Sequence, residues 1–493
     1  MPRLEKTPVV VIGAGLAGLG AALRLTRMGA DVFLLEASDV AGGCCSTTTV
    51  DGFTFNNGAI YVAVPSLLRS AFRRLELDLD ETAPLERIRR PLAARLESGL
   101  TVHLADSDTS WVEGGTADQT RCLRDGLARL QADWGPIYRA LTKDVLPHEP
   151  SLPVMLMRLW RYLPRISGRA DRLIARYFDD DDLRAAVASS LLYTGLPPNR
   201  LPATQIIGLL ALLEEGFHLP RGGMGAIGDV LLGALQQTPA ELRFGCQVRQ
   251  ILIRNGAVLG VELSSGERIA ASHVIATCSG FETVRHLLAA DATSRGLARK
   301  ARTAPLSHRA VSIQIGCSGI APPETFITCH VPPMSRHAEM HVSQAEEPRW
   351  LAYTAPAAAR PELAPPGASV IELHAPVTGI GHASEWTDSM TDAVLSGYMA
   401  ALRRRMPDLS VETLRVTDPR SFVQDRHLHE GALYGMAPGV PPNRFFPHRT
   451  SLAGLYLGGQ TTFPGYGVAL ALLSGIQAAE ALLRDQGVDA GRS

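Results

Sequence analysis

The chain has 493 residues, more than one compact core usually accommodates, so we expect two or three domains. Apolar residues make up 46% and charged residues 20% of the chain, and the net charge is −1, which argues against a basic nucleic-acid surface and against a disordered acidic tail. The seven cysteines lack CxxC spacing and follow no secretory signal pattern. They predict reduced thiols in a cytoplasmic protein, not a disulfide scaffold.

The first forty residues have the pattern of a βαβ unit. A β-branched run at 8–12 predicts a strand, helical spacing follows from Leu19 to Met28, and residues 31–36 read as a second strand. Thirty residues are enough for a right-handed crossover between two parallel strands.

A GxGxxG fingerprint lies at the turn of this unit, and Glu36 ends the second strand. The glycines permit a tight turn, a close approach of the backbone to a pyrophosphate, and helix–strand packing, while the helix N-terminus attracts phosphate. The carboxylate at the end of the second strand is placed to accept hydrogen bonds from the adenosine ribose. The predicted dinucleotide-binding residues are Gly13, Ala14, Gly15, Leu16, Ala17, Gly18 and Glu36.

Further along the chain, helical and β-rich stretches alternate. Residues 66–213 are mostly helical in pattern, 242–278 read as a β-meander with an Asn255-Gly256 hairpin turn, and 308–378 contain β-rich runs. A last strand at 454–458 precedes a long apolar helix. The prediction is an α/β protein with a discontinuous Rossmann-type domain (1–65, 215–285 and 420–493) and an inserted mixed α+β substrate domain (66–214 and 286–419).

A second GxGxxG match occurs at 223–228, but it follows Leu219-Pro220-Arg221, where no buried strand is expected, and no acidic residue closes a later strand at the expected distance. We interpret it as a loop leading into a helix from Ala226 to Leu235. A separate NAD(P)H domain is therefore not expected.

No membrane-spanning segment is predicted, because the apolar stretches 7–23 and 465–483 are interrupted by glycine. Residues 152–166 are different: they combine Leu, Met and Trp160 with Arg158, Arg161 and Arg165 at helical spacing. This segment either docks at a membrane surface or packs on its own domain, and Pro164 is expected to break a long helix there.

Two further motifs carry a resemblance to a known family, and that resemblance implies the cofactor. Gly42-Gly43 is followed by the segment from Asp51 to Gly58 (DGFTFNNG), and the C-terminus carries GLYLGGQTTFPGYGV at 454–468. With Leu219 to Met224 and the meander, these motifs resemble the FAD-dependent amine oxidase superfamily, and within it the phytoene desaturase, carotenoid isomerase and retinol saturase family. The resemblance implies FAD as cofactor, with the helix N-terminus at Val468 beside flavin N1/O2.

The resemblance also implies a set of contacts to FAD. The paired glycines contact the pyrophosphate, the DGFxFxxG segment runs beside the flavin ring, and Val248 contacts adenine through its backbone. Cys44 departs from the family pattern, since many relatives have Arg there. The implied cofactor-binding residues are Gly42, Gly43, Cys44, Gly58, Ala59, Val248, Gly459, Gln460, Gly467 and Val468.

Two patterns suggest redox or metal chemistry, but we interpret both as structural. Cys44-Cys45 reads as packed small residues and not as a redox pair, because adjacent cysteines form a disulfide only with strain. Residues 425–430 (DRHLHE) lack the i,i+4 pairing of a zinc site and read as a loop, so no metal is predicted.

The resemblance predicts an FAD-dependent desaturase, isomerase or saturase of a carotenoid-like or other isoprenoid polyene, acting by hydride transfer with flavin N5. Oxygen or a quinone is the expected electron acceptor, the substrate is a hydrophobic small molecule, and peripheral contact with the inner face of a membrane is left open. Two alternatives remain: a flavin oxidase of an amine or natural-product intermediate, and a non-catalytic partner-binding flavoprotein. The sequence assigns no catalytic acid or base.

Overall fold

The computed structural model describes residues 8–290, 292–339, 348 and 350–488. Within these residues the β-strands are, in chain order, β1 (Val9–Ile12), β2 (Val32–Leu35), β3 (Thr47–Val50), β4 (Phe53–Asn56), β5 (Leu85–Arg87), β6 (Leu92–Leu96), β7 (Thr101–Leu104), β8 (Trp111–Glu113), β9 (His218–Pro220), β10 (Glu241–Arg243), β11 (Val248–Arg254), β12 (Ala257–Leu263), β13 (Arg268–Ala270), β14 (His273–Ala276), β15 (Arg309–Ser318), β16 (Ile327–Val331), β17 (Leu351–Thr354), β18 (Ser369–Val377), β19 (Ser410–Thr417) and β20 (Leu455–Leu457).

The α-helices of the same residues are α1 (Leu16–Arg27), α2 (Pro65–Arg74), α3 (Leu79–Thr82), α4 (Ala117–Ala140), α5 (Leu152–Leu159), α6 (Leu163–Ile166), α7 (Ala170–Ile174), α8 (Asp181–Ser189), α9 (Ile207–Glu214), α10 (Ala226–Gln236), α11 (Gly280–Glu282), α12 (Arg295–Thr303), α13 (Asp388–Arg405), α14 (Pro419–Arg426) and α15 (Val468–Asp485).

A five-stranded parallel sheet organises the first part of the fold, in the order β10-β2-β1-β14-β20. Its strands come from three separate stretches of the chain, so this Rossmann-type domain is discontinuous, as predicted. Helices α1 and α15 pack against each other in one apolar core with strands of this sheet. Their contact is close because Gly475 lacks a side chain: a Cβ there would lie 1.9 Å from the Ala17 carbonyl oxygen.

An eight-stranded mixed sheet forms the second part, in the order β19-β15-β18-β17-β16-β6-β7-β8. The stretch 66–213 is mostly helical, as predicted, but it also contains β5 to β8. Strands β5 and β6 pair with distant partners, β9 and β16, and β7 and β8 continue from β6 as a local antiparallel meander. Strand β6 pairs in parallel with β16, from Leu92↔Ile327 to Leu96↔Val331. The Leu-Ala-Ala-Arg-Leu sequence of β6 carries no β-branched residue, so its local pattern does not indicate a strand.

The meander at 242–278 is present, with β11, β12 and β13 antiparallel and β14 returning to the parallel sheet. Its first hairpin turns at Asn255 and Gly256, which have φ angles of 52° and 76°. Two consecutive positive φ values are the geometry that an Asn-Gly hairpin turn favours.

The second GxGxxG stretch leads into α10, as predicted. The expectation that no buried strand precedes it was wrong: β9 is buried, but it pairs antiparallel with β5 in a separate two-stranded sheet. A dinucleotide site needs a parallel strand at this position, so the turn is structural.

The 152–166 segment is divided into α5, a 3-10 turn at Trp160–Tyr162, and α6 with Pro164 in its first turn. None of the described helices combines the length and apolar character needed to cross a bilayer. The exact boundaries of the two domains stay a prediction.

Candidate active site

The turn between β1 and α1 has the geometry that phosphate binding requires. Gly13 adopts a φ of 99°, and a Cβ at Gly18 would lie 1.7 Å from the Gly13 carbonyl oxygen, so helix and strand meet only through glycine. Gly15 precedes the helix with no side-chain cap, and a Cβ there would meet no atom within 4 Å. The first amides of α1 therefore face open space.

Glu36 stands at the end of β2 beside this turn. Its carboxylate accepts hydrogen bonds from the Ala14 backbone N–H at 2.6 Å and from the Ser38 backbone and hydroxyl, both at 2.9 Å. These contacts fix the carboxylate at the rim of the cavity that Gly15 also lines.

The paired glycines pack directly on the fingerprint. Both adopt positive φ, and the Gly42 N–H donates to the Ala14 carbonyl at 2.8 Å. A Cβ on Gly43 would lie 3.3 Å from the Gly15 Cα, so this contact leaves little room for a side chain.

Cys44 and Cys45 follow in a 3-10 turn, and both are free thiols. Burial is the main cause that raises the pKa of each thiol, and the Cys45 thiol donates to the Met224 carbonyl. These properties support the interpretation of packed small residues, since a reactive cysteine needs a lowered pKa.

The β3–β4 hairpin carries most of the DGFTFNNG motif and connects the parallel-sheet part of the fold to the eight-stranded mixed sheet. The buried Glu372 carboxylate on β18 accepts from the Asn56 backbone N–H at 2.6 Å, and the Gln314 side chain donates to the Asn56 carbonyl at 2.6 Å. Arg415 on β19 donates to the Gln314 side chain at 2.9 Å. This network holds the start of the Asn57–Gly58 segment against the eight-stranded mixed sheet, which we call the substrate sheet.

The N-terminus of α15 is a second helix start without a side-chain cap, and it borders the same cavity as the β1–α1 turn. Gly467 precedes α15 with φ 103°, no side chain caps the helix, and a Cβ there would meet nothing within 4 Å. The neighbouring Gly459 N–H donates to the Ser474 hydroxyl at 3.0 Å, which ties the loop after β20 to the same helix.

One continuous cavity of about 1080 Å³ connects these features. Of the predicted cofactor-binding residues, those that line it are Gly13, Gly15, Leu16, Ala17, Glu36, Gly42, Gly43, Cys44, Gly58, Ala59, Val248, Gly459, Gln460, Gly467 and Val468. Ala14 and Gly18 are buried behind the wall, where they hold the carboxylate of Glu36 and the β1–α1 contact. Their assignment to the cofactor stays a prediction, as it does for the lining residues.

These residues fit FAD. An extended dinucleotide needs one uncapped helix N-terminus for its phosphates, a carboxylate for its ribose and a second positive dipole end for the flavin ring. The chain supplies all three along one cavity, at α1, Glu36 and α15.

The cavity extends beyond this groove into the helical part of the chain. The lining residues between 137 and 166 are all apolar: Ile137, Leu141, Val145, Leu146, Met155, Leu159 and Ile166. A large apolar ligand is the group that such a wall accommodates.

A polar group of residues also lines the cavity, and the sequence reasoning missed it. Its members are Tyr61, Tyr193, His308, Trp350, His374, Tyr434 and Tyr466. Tyr434 and Tyr466 stack with centroids 4.5 Å apart, and His308 meets Tyr434 edge-on at 5.4 Å. The available signal was local to β18, where Glu372 and His374 alternate with apolar residues and mark one polar face.

Residues 425–430 form the end of α14 and a tight turn, as the loop interpretation expects. His429 nevertheless lies beside two residues from another segment, Glu282 and His286, and one ligand atom from each falls within 4.8 Å of the others. His429 Nδ1 lies 2.5 Å from a Glu282 carboxylate oxygen, and its ring stacks on Phe281. A hydrogen bond between the imidazole and the carboxyl group accounts for this contact, and the absence of a metal stays a prediction.

Comparison with known proteins identifies the class. The family model described as flavin containing amine oxidoreductase matches residues 16–483, so the chain belongs to that family. It is an FAD-dependent oxidoreductase, and the predicted cofactor is confirmed.

The relatives point to one branch. The chain is 28% identical to the phytoene dehydrogenase of Streptomyces griseus, over 96% of this chain and 94% of the relative, and 25% identical to the lycopene-forming phytoene desaturase of Pseudescherichia vulneris, over 98% and 100%. Solved structures share the fold: an oxidoreductase of Methanosarcina mazei has a TM-score of 0.64 at 18% identity, covering 96% of this chain and 100% of that one. Putrescine oxidase bound to putrescine has a TM-score of 0.65 at 16% identity, covering 97% and 99%. The predicted family is confirmed.

Proposed function

We propose that this protein acts on carbon–carbon bonds of a carotenoid-like or other isoprenoid polyene, by desaturation, isomerisation or saturation. The observation that carries the proposal is the apolar wall at residues 137–166, which lines the same cavity as the predicted flavin site. Relatives named as phytoene dehydrogenase and phytoene desaturase match the chain over nearly its whole length. FAD, when bound, supplies a hydride acceptor at N5.

The chain's own contribution is to bind FAD and the substrate, to orient them relative to each other, and to exclude water from the cavity. The amides at the start of α1 and the Glu36 carboxylate would hold the ADP half of FAD, and the amides at the start of α15 would stabilise negative charge on the flavin. The apolar wall holds a long chain in a fixed register against that ring, which converts binding into orientation. Desaturation leaves the flavin reduced, and because the second glycine-rich stretch is structural, we propose oxygen or a quinone as the electron acceptor for that reaction.

Pigment analysis tests this function. Expression in cells that accumulate phytoene or a cis-carotene is expected to change the double-bond number or geometry of the pigment. A Gly15→Ala variant, designed to weaken FAD binding, is the matched control and is expected to convert less of the pigment than the wild type. An unchanged pigment pool with the wild-type, flavin-loaded protein would count against the proposal.

An amine oxidase is the second candidate, because aromatic residues crowd the cavity near α15. Tyr466, directly before Gly467, stacks on Tyr434 with centroids 4.5 Å apart, and Tyr61 stacks on Phe217 at 4.1 Å. An aromatic pocket suits a small amine as well as a polyene. Oxidation of a diamine series, measured as hydrogen peroxide release, would favour this candidate.

We also propose that the 152–166 segment docks on a membrane. Five large apolar side chains there are exposed: Val154, Leu156, Met157, Trp160 and Leu163. Arg158, Arg161 and Arg165 are exposed beside them, which is the composition of an interfacial helix. Met155, Leu159 and Ile166 of the same segment line the cavity, so docking would place the substrate cavity next to the lipid.

Co-sedimentation with anionic phosphatidylglycerol vesicles tests docking. The wild-type protein is expected to bind, less strongly at high salt, and replacing Leu156, Met157 and Trp160 together by Ser is expected to abolish binding. The matched control replaces two exposed leucines elsewhere, Leu259 and Leu414, by Ser. Equal binding by both variants would contradict the proposal.

A further inference from the structure

The cofactor cavity has one permanently positive side chain in its wall. Within the described part of the chain, Arg426 is the one Lys or Arg that lines it, whereas Glu36, Glu282 and Asp425 contribute acidic groups. The FAD pyrophosphate is doubly negative, and a negative group removed from water needs a compensating charge. The N-terminus of α1 supplies only roughly half a positive charge. A cation is therefore needed in addition to the fingerprint turn.

Arg426 reaches the cavity from an anchored helix. It is the last residue of α14, and His427 ends the helix directly after it with a left-handed φ of 51°. At the other end, the Asp418 carboxylate caps the helix and accepts from the Ser421 backbone N–H at 2.8 Å. The Arg426 side chain is half-buried. The fold thus fixes both ends of the segment that brings this charge to the cavity wall.

Along the cavity, Arg426 lies near Cys44. Burial raises the pKa of the Cys44 thiol, and the positive charge of Arg426 partly opposes this effect. Cys44 directly follows Gly43, where a Cβ would lie 3.3 Å from the Gly15 Cα of the β1–α1 turn. The Cys44 carbonyl accepts from the Ala59 N–H at 2.8 Å. The charge of Arg426 is therefore delivered next to the turn on which a pyrophosphate is expected to bind.

The Arg426 charge has no protein partner of opposite sign. Its guanidinium forms no ion pair or hydrogen bond within the described residues. After burial, which is the larger cause, the charge of Arg426 lowers the pKa of Arg415, so the two guanidinium groups repel each other. A bound anion would offset this repulsion. Cys44, at the position where many relatives have Arg, adds no positive charge because its raised pKa keeps the thiol neutral.

We propose that Arg426 binds the FAD pyrophosphate and supplies, from α14, the positive charge that Cys44 does not. A guanidinium presents parallel N–H groups that match two phosphate oxygens, and such charge-assisted hydrogen bonds are stronger than neutral ones. The phosphate contact would then come from a segment far from the fingerprint in sequence. This inference concerns the cofactor, so it holds or fails independently of the proposed substrate.

Titration of the apoprotein with FAD and with ADP tests the inference, because ADP carries the pyrophosphate without the flavin. Arg426→Gln is expected to raise the Kd for both ligands about 10- to 100-fold, the effect of losing hydrogen bonds to a charged group. Arg426→Lys keeps the charge but not the paired donors, so it should raise both Kd values less, about two- to tenfold. The FAD affinity of the wild type should also fall more steeply with salt than that of Arg426→Gln.

Arg403→Gln is the matched control, since Arg403 is an exposed arginine in the last turn of α13 and is not among the described residues that line the cavity. It should leave both Kd values unchanged, and all three variants should keep the urea midpoint of the wild-type apoprotein. An unchanged FAD Kd in Arg426→Gln would overturn the inference. Weaker binding of FAD but not of ADP would overturn the assignment to the pyrophosphate. A lowered urea midpoint in Arg426→Gln would show that Arg426 stabilises the end of α14 instead.

Discussion

Gly15 and Gly18 of the β1–α1 turn serve different purposes, although both are required by the GxGxxG fingerprint. Gly18 is needed by the fold, because any side chain there enters the space of the Gly13 carbonyl. Gly15 has an ordinary φ of −69° and open space where a Cβ would stand. Its requirement comes from a ligand that approaches the backbone.

The variants Gly15→Ala and Gly18→Ala should therefore separate binding from folding. Gly15→Ala is expected to leave the free energy of unfolding of the apoprotein nearly unchanged and to weaken FAD binding about tenfold or more. Gly18→Ala is expected to destabilise the apoprotein by about 3 kcal/mol, the upper range for overpacking. FAD titration and urea unfolding measure the two effects.

Gly233→Ala on α10 is the control, since a Cβ there meets nothing within 4 Å. It should stabilise the helix by about 0.5–1 kcal/mol and leave FAD affinity unchanged. Normal FAD affinity in Gly15→Ala would show that the pyrophosphate lies elsewhere.

At the scale of elements, the link between the β3–β4 hairpin and the substrate sheet is a buried carboxyl network. Burial raises the pKa of Glu372 from 4.5 to about 7, against the opposing effect of hydrogen bonds from Asn56, Thr354 and Gln314. Arg415 donates to the Gln314 side chain and interacts electrostatically with Glu372. The hairpin that carries Gly58 is thus held by a group that titrates near neutral pH.

Because folding raises this pKa, the contribution of Glu372 to stability is complete below pH 4.5 and is lost as the pH rises through about 7. The wild-type protein should therefore lose about 3 kcal/mol relative to Glu372→Gln over this range. Urea unfolding at a series of pH values measures the difference. Glu362→Gln, an exposed glutamate in the loop before β18, should follow the wild-type curve, and a parallel curve for Glu372→Gln would contradict the account.

The elements that sequence reasoning found are those with strong local signals. The β1–α1–β2 unit, the Asn255-Gly256 hairpin and α15 each combine a periodic apolar pattern with a turn residue or helix boundary that fits it. Strand β6 was missed because it pairs with β16, more than 200 positions away in the chain, and β7 and β8 extend the sheet from β6 as a local antiparallel meander. Local propensity carries no record of such partners.

The candidate site likewise has one part that could be predicted from the sequence and one part that could not. Gly13 to Glu36 and the C-terminal motif are contiguous in sequence, so their role was predictable from pattern and resemblance. Tyr193, Trp350 and His374 come from three separate segments and line the same cavity only after folding. Their side chains alone, without the sheet register, do not indicate a site.

For the molecule as a whole, one cavity joins the predicted cofactor groove, the apolar wall and the exposed segment at 152–166. This arrangement has a mechanistic consequence, since a polyene taken up from a lipid surface would enter along the wall that later holds it. The absence of charged side chains between 137 and 166 in the lining suits a lipid and disfavours a freely diffusing polar amine.

Anaerobic mixing of the FAD-loaded protein with polyenes tests the central claim most directly. Addition of a C20 or C40 isoprenoid polyene is expected to bleach the oxidised flavin if the polyene is desaturated, or to reoxidise the pre-reduced flavin if it is saturated. In each case a product altered in its carbon–carbon double bonds forms, and putrescine leaves the flavin band unchanged. A band that resists every polyene but is bleached by putrescine would contradict the account and establish the amine oxidase alternative.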